Sequence, residues 1–306
     1  MKFKRNKLKN FEIVQFGNIL GDDLGSIDLG DSLGALPKSK NPLFLKRFSE
    51  KDLLAIMEKV GMIQHLESRG FDNFKLSLDV DDAMVHYLKM YTREKEPDYL
   101  LMDLRLTETK FLPNKKFFNG GKDIPTYDMV VIEWLSAQNP AISFKEANTD
   151  SKPQLPGQAK PGLGILKYCF EMMYLVAREV TKDGFLDVPD HMHGAIMYSK
   201  KFKFFDPVHE AILKAILRDM KDYNLVDISW GMLTNTIIDI YKDIPQAYDP
   251  SEQIFYVSSR MKRYFNSSAY KSLFNKYYKR KKFRFDYDEM LVRREEILKS
   301  KKIVDL

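Results

Sequence analysis

Met129-Val-Val-Ile-Glu-Trp-Leu135, then Leu155-Pro-Gly-Gln-Ala-Lys-Pro-Gly-Leu-Gly164, then an apolar stretch to Val180 decide how this chain folds. The first run is apolar on both alternating faces, which predicts a central strand. Over 163–180, Leu166, Phe170, Met173, Ala177 and Val180 recur at helical spacing, which predicts a buried helix. Between them stands a glycine-rich loop. Such a loop leaves backbone N–H groups pointing outward at the positive end of the following helix dipole, a ready seat for phosphate or pyrophosphate. Gly162 and Gly164 permit close backbone approach, Lys160 adds a positive side chain and Pro161 removes one donor. The loop lacks the Lys-Ser/Thr of a Walker loop and the third glycine of a dinucleotide fingerprint. The competing interpretation is a Pro/Gly connector that only caps a core helix.

Upstream, residues 1–48 read as an irregular arm, because a glycine about every four positions over 17–34 argues against a regular helix. Order is expected from Ser49. With Asp52 it forms a capping-box signal ahead of a helical stripe of Leu53, Ile56, Val60, Ile63 and Leu66 that ends near Gly70. Phe74, Leu76, Leu78 and Val80 alternate as a strand does, and Asp81 or Asp82 then looks like the cap of a short helix to Tyr91. Leu100, Met102, Leu104 and Leu106 predict a half-buried strand; residues 110–125, with Asn119-Gly120-Gly121, predict a loop or hairpin. Downstream, Gly184-Phe-Leu-Asp-Val188 reads as a short strand, Asp190 as the N-cap of a helix through Phe202, and Lys203-Phe-Phe-Asp-Pro207 as a short strand and stop. Helical patterns follow over 207–222, 227–242, 252–264, 266–281 and 286–300, without a convincing strand. The expected architecture is α/β. A mixed central sheet flanked by helices occupies 49–206, with an arm at 1–48 and a helical, basic extension at 207–306.

Composition sets the outer bounds. The chain has 306 residues, with 49 Lys and Arg against 43 Asp and Glu, for a formal charge of +6. Residues 2–9 hold five bases and residues 260–284 hold ten, with no acid in either, which leaves about −9 for the remainder. The protein is an acidic body with two basic ends. A hydrophobic fraction of 44% with 13% aromatics excludes a disordered chain. One cysteine excludes a disulfide framework and any Cys-rich metal site, and fits a reducing compartment. No run approaches a membrane span, and the basic N-terminus is followed by glycine and aspartate rather than an apolar signal core. A cytoplasmic protein is expected.

The unit after the buried helix adds a functional expectation. A short strand at 184–188 leads into Asp190-His-Met-His-Gly-Ala-Ile-Met-Tyr198-Ser-Lys-Lys-Phe-Lys-Phe-Phe205. This resembles the closing motif of the GNAT family of N-acetyltransferases, in which a strand, an Asn-begun helix, a Tyr-x-Lys-x-Gly-Phe-like turn and a last strand follow one another. The preceding strand–loop–helix is similar to that family's acyl-CoA pyrophosphate loop, Arg/Gln-x-x-Gly-x-Gly/Ala. The resemblance covers 98–206, reaches 49–97 only by element order, and leaves 207–306 outside. It implies a GNAT-like fold and transfer of an acyl group, most simply acetyl, from acyl-CoA to a small-molecule or peptide amine. It also implies that Gln158, Ala159, Lys160, Gly162, Leu163 and Gly164 hold the pyrophosphate, with His191 at the family's Asn position. By the same carry-over, the bulged strand lines the pantetheine arm and Tyr198 protonates the departing thiolate. Three positions depart: Gln158 stands one place early and leaves Ala159 in register, His191 replaces Asn, and the turn after Tyr198 has an extra residue and no glycine.

Other residues offer alternatives. On a helix over 191–202, His191 and Tyr198 share a face with Gly194 between them, while Met192, Ala195, Ser199 and Phe202 form the core stripe. His191-x-His193 has metal-ligand spacing, with Asp206 and His209 near, and supports a metal-dependent hydrolase as a third hypothesis; two-apart histidines diverge on a helix, which counts against it. Glu133, inside an apolar strand, is a candidate general base if buried. Cys169 reads as a small packed hydrophobe. Residues 260–284 interleave bases with Tyr264, Phe265, Tyr270, Phe274, Tyr277, Tyr278, Phe283 and Phe285. That mixture suits nucleic acid, an anionic membrane surface, or a solvated helix face. The second hypothesis is accordingly a binding module that keeps the fold without catalysis and uses this tail on nucleic acid or a protein.

Overall fold

Ser49 closes a capping box: its Oγ accepts from the Asp52 N–H at 3.3 Å while Asp52 Oδ2 accepts from the Ser49 N–H at 2.9 Å. This starts α1 (Glu50–Lys59). The computed structural model describes residues 43–82, 84–114, 117, 125–142 and 154–306. Most of the arm expected at 1–48 and the Asn119-Gly120-Gly121 turn lie outside the described residues. The single helix expected from Ser49 to Gly70 is two. Gly61 adopts φ +83°, a left-handed turn that breaks the ladder before α2 (Met62–Glu67). Leu53, Ile56, Met62 and Leu66 still bury together in one core.

The helix expected after Asp81 or Asp82 is a strand. Asp82 Oδ1 accepts from the N–H groups of Met84 and Val85 at 2.8 and 3.3 Å, a turn that feeds β2 (Val85–Thr92). β2 pairs antiparallel with β1 (Phe74–Asp79). Along it His86, Leu88 and Met90 are buried while Val85, Tyr87 and Lys89 are half-buried, a period of two. The β-branched and aromatic residues Val85, Tyr87, Tyr91 and Thr92 carry the preference for pleated backbone.

The main sheet is mixed, with order β1-β2-β3-β4-β5-β9-β6. It includes β3 (Leu100–Phe111), β4 (Tyr127–Ala137), β5 (Gly184–Asp187), β6 (Lys203–Phe204) and β9 (Gln253–Tyr256). Only the β4–β5 pair is parallel; the other pairings are antiparallel. Val130, Ile132 and Phe185 face a core built with α1, α2 and α3 (Leu166–Val180), whereas Tyr127, Met129, Leu186 and Ile254 face α7 (Ser259–Asn266) and α8 (Ser268–Arg280). Over residues 129–132 β4 is covered on both sides, as an apolar central strand requires.

The region expected as helices alone contains strands. Between β6 and β9 stand α5 (Pro207–Asp219), α6 (Leu225–Leu233), β7 (Ile237–Asp239) and β8 (Ile244–Pro245). β10 (Phe283–Phe285) completes a small sheet ordered β10-β7-β8, and α9 (Tyr287–Ser300) packs on α6. β9 inserts between β5 and β6, so residues past 207 complete the main sheet. No helix among the described residues is long and apolar enough to cross a membrane.

Candidate functional site

The glycine-rich loop is pinned by its alternation. Leu163 and Ile165 are buried at 0% and 1% exposure, which leaves Gly162 and Gly164 on the surface. Gly164 has φ +71°, a conformation that strains any other L-residue. The Gln138 N–H donates to Leu101 on β3, and the next N–H, that of Asn139, donates to Pro161 at 2.7 Å. Successive N–H groups of an extended chain point to opposite sides, so the loop lies along the β5-facing edge of β4. Gly162 closes that edge in a bridge to Gln138.

Ile165, the N-cap of α3, offers no side chain to the first-turn amides. Arg69 and His65 stand beside Gly164, 3.6 and 3.8 Å from where a Cβ would sit, and His65 Nε2 is 2.9 Å from the Leu163 carbonyl. Lys160, expected to add charge to the anion seat, instead donates to the Pro140 carbonyl at 2.9 Å and ties the loop to the end of β4. The Gln158 Oε1 accepts from the Leu155 N–H at 3.2 Å, and Ala159 is exposed.

A gap in the sheet faces this loop. β4 and β5 pair from Met129–Gly184 to Ile132–Asp187, and β4 then continues to Ala137. Arg105 lies opposite Trp134 and Leu106 opposite Ile132, so Glu133 is the extra residue of a bulge. The bulge turns both Glu133 and Trp134 outward and leaves them exposed. The burial on which Glu133's expected role as a base depends is absent.

A buried carboxylate next to this gap is Asp187, at the end of β5. It is 8% exposed, and burial, reinforced by Asp190, raises its pKa to about 7. Nothing in the sequence pattern separates Asp187 from Glu133, since each is a lone acid in an apolar strand. The bulge turns Glu133 outward, and bulges leave no mark on hydrophobic periodicity.

α4 (Met192–Tyr198) follows, with His191 rather than Asp190 at its N-cap. His191 is extended there, at φ −123° and ψ 149°, so its ring stacks on His193 at 5.2 Å instead of sharing a helix face with Tyr198. His191 Nε2 also lies 3.4 Å from a Cβ placed on Gly157, which brings it against the loop. Burial, helped by His191, lowers the His193 pKa to about 4. Tyr198 is 7% exposed, packed edge-on to Phe170 and Phe202, and its phenol is raised well above the usual value by burial and then by Asp187. Cys169 is buried and its thiol is pushed up to about 12, which suits a packed hydrophobe.

Comparison with family models, with curated proteins and with solved structures finds no match to this chain. The chemistry therefore rests on the side chains themselves. Among the described residues no group of three or more His, Cys, Asp or Glu is arranged to hold a metal ion, and the His191–His193 pair stands without a third ligand.

The basic segment divides into two populations. Phe265 and Tyr270 are core residues, and Tyr264 stacks on Phe205 at 4.2 Å. Arg260 grips Asp183 through two hydrogen bonds, Lys281 binds Asp239 at 2.5 Å, and Arg284 pairs with Asp286 and Asp243. Lys262, Arg263, Lys271, Lys276, Lys279, Arg280 and Lys282 remain exposed.

Proposed function

We propose that the protein is an acyl-CoA-dependent N-acyltransferase of GNAT-like fold, acting on an amine in a ternary complex. One observation carries this: the edge of β4 over residues 133–137, bounded by the parallel pair with β5 and by the bridge to Gly162. An extended, amide-bearing pantetheine arm can lie along such an edge as an added strand does. The exposed glycines and uncapped α3 N-terminus stand at its far end, where a pyrophosphate needs donors. Bulged strand, glycine loop, buried helix and a later tyrosine-bearing helix come in the order that the family resemblance implies.

In this mechanism the amine nitrogen attacks the thioester carbonyl carbon, and the carbon–sulfur bond breaks as the amide forms. The nitrogen's surplus proton goes to a base and the departing sulfur receives one from an acid. Tyr198, whose phenol stays protonated at neutral pH, is the candidate acid. Asp187 takes the place of Glu133 as candidate base, because a carboxyl group raised to about 7 exchanges a proton near neutrality. A single buried thiol agrees with a cytoplasmic setting.

Titrating acetyl-CoA into the protein while following thermal unfolding tests the proposal. A saturable rise in Tm is expected, and it should vanish in Gly164→Val, which forces a β-branched residue into φ +71°. No shift with any CoA ester at millimolar concentration would end it.

A second proposed activity, binding of a polyanion such as single-stranded nucleic acid, is favoured by the exposed bases on α7 and α8. They lie opposite the aromatic side chains that dock these helices on the body.

A further inference from the structure

The segment inserted between β6 and β9 encloses a cavity that the acyl-transfer steps leave unused. It measures about 170 Å³ and is walled by Met192, Phe204, Ile212, Leu213, Ile216 and Met232, from α4, β6, α5 and α6. An engineered hydrocarbon-lined cavity of about 150 Å³ takes up benzene. The volume therefore suffices for one aromatic ring or a branched alkyl group.

Polar groups reach the cavity from one side, where the chain after β8 brings Gln246, Tyr248 and Asp249 beside His209. That side has a definite sign. The Tyr248 hydroxyl donates to the Pro189 carbonyl at 2.6 Å, two residues beyond Asp187, and the carboxylates of Asp187, Asp190 and Asp249 all bear on this phenol. Asp187 has another carboxylate, Asp190, as its charged neighbour rather than a cation. Among the described residues Lys281 approaches, 3.4 Å from Gln246 Oε1, but Asp239 neutralises it at 2.5 Å. His209 Nε2 lies 3.5 Å from the exposed carboxylate of Asp249. The result is an apolar floor under a negative mouth. A hydrocarbon would make no use of the polar side, and an anion would meet the carboxylate of Asp249.

We propose that this cavity seats the apolar group of a small primary amine, whose ammonium is held at the Asp249 carboxylate, with Asp187 and Asp190 beyond Tyr248 on the same side. This rests on the acyl-transfer proposal in one respect, that the amine is the acyl acceptor. Met192 and Tyr248 join the two regions, since each lines the cavity and adjoins the α4 N-terminus beyond Asp187.

Calorimetric titration of the full chain at neutral pH with 2-phenylethylamine, ethylamine and phenylacetate separates the outcomes. The ring-bearing amine is expected to bind at least about tenfold more tightly than ethylamine, the effect of burying one aromatic ring. Phenylacetate should bind at least about tenfold more weakly than 2-phenylethylamine, because the mouth repels it. Ile212→Trp, a half-buried position on the wall, should fill the space and abolish the preference for the ring. Equal binding of the two amines, equal binding of phenylacetate, or an unchanged preference in a folded Ile212→Trp protein overturns the assignment. Acetyl-CoA is titrated separately. An amine that binds where no CoA ester does would remove acyl transfer and leave the cavity assignment standing; CoA binding without preference for the ring would do the reverse.

Discussion

Asp187 is 8% exposed with Asp190 as its charged neighbour, and its pKa is raised to about 7. Unfolded, the same group titrates near 3.9. Its contribution to stability is therefore fully present below about pH 4 and is lost as pH rises through 7, because the folded state holds the proton longer. Asp187→Asn removes that dependence. The variant should gain on the wild type between pH 5 and pH 8 by on the order of a few kcal/mol, at the expense of any acyl transfer. Urea unfolding at the two pH values checks this, and a stability difference that stays constant would contradict the burial of the charge.

Arg260 makes the opposite case. Asp183 is 1% exposed; burial alone would raise its carboxyl, but hydrogen bonds from Arg260 and from the Ser258 side chain, with that of the Asp128 N–H, hold it below the usual range. Arg260 is itself 43% exposed, and removing it leaves Asp183 only the Ser258 side chain and the Asp128 N–H, so Arg260→Leu should cost about 1–3 kcal/mol. Arg263→Leu, exposed three residues on, should stay within about 0.5 kcal/mol of the wild type. Chemical denaturation of both variants distinguishes an exposed arginine that answers a buried carboxylate from one that does not.

At the scale of elements, β5 tolerates no side chain at Gly184. A Cβ there would stand 2.5 Å from the Phe255 carbonyl oxygen and 3.3 Å from the Tyr256 Cα on β9, backbone atoms that cannot swing aside. Gly184→Ala should therefore lose about 1–3 kcal/mol or more by overpacking the β5–β9 pair. Gly162→Ala, with its nearest neighbour at 3.8 Å, should melt close to the wild type. Comparable Tm losses in the two variants would contradict the β5–β9 register.

The same element shows why some of the fold is legible in sequence and some is not. β1, β3 and α3 announce themselves because each has one period, of two or 3.6, over a long enough run, and β4 because its run is apolar on both faces. β5 is short, yet Phe185 and Leu186 are both apolar because both faces are covered. β2 was hidden by an aspartate pair that caps a turn as readily as a helix. β9 is only Gln253–Tyr256, and it is a strand because β5 and β6 offer it two free edges, which no local pattern records. Of the candidate site, the loop glycines could be read from sequence because backbone freedom is a property of one residue. The buried carboxylate could not, because a bulge opposite Arg105 turns Glu133 outward while Asp187 stays in the regular, covered register of β5.

At the scale of the whole molecule, the charge of +6 is less available than it looks. Of the ten bases in 260–284, Arg260, Lys281 and Arg284 are committed to carboxylates of the body. The remaining seven are exposed. On α8 the buried Tyr270 and half-buried Phe274, Tyr277 and Tyr278 fix one face, so Lys276 and Lys279 point away from the body, while Lys271 and Arg280 are exposed on its flanks. If this surface binds single-stranded nucleic acid, the affinity should fall with salt by counterion release, with a slope of about −0.7 for each phosphate neutralised. The upper limit is then about −5, from seven contacts, rather than about −7 from ten. Replacing Lys276, Lys279 and Arg280 by glutamine should make the slope shallower by about 2 and leave the fold intact, since among the described residues none of the three has an acidic partner. Replacing Lys281 instead should unfold the β7–β10 junction, because it would leave Asp239 buried at 2% exposure without its partner. Fluorescence anisotropy with a labelled oligonucleotide across a salt series, paired with thermal melts of both variants, tests the division. A slope unaffected by the triple substitution would move any nucleic-acid contact off α8 altogether.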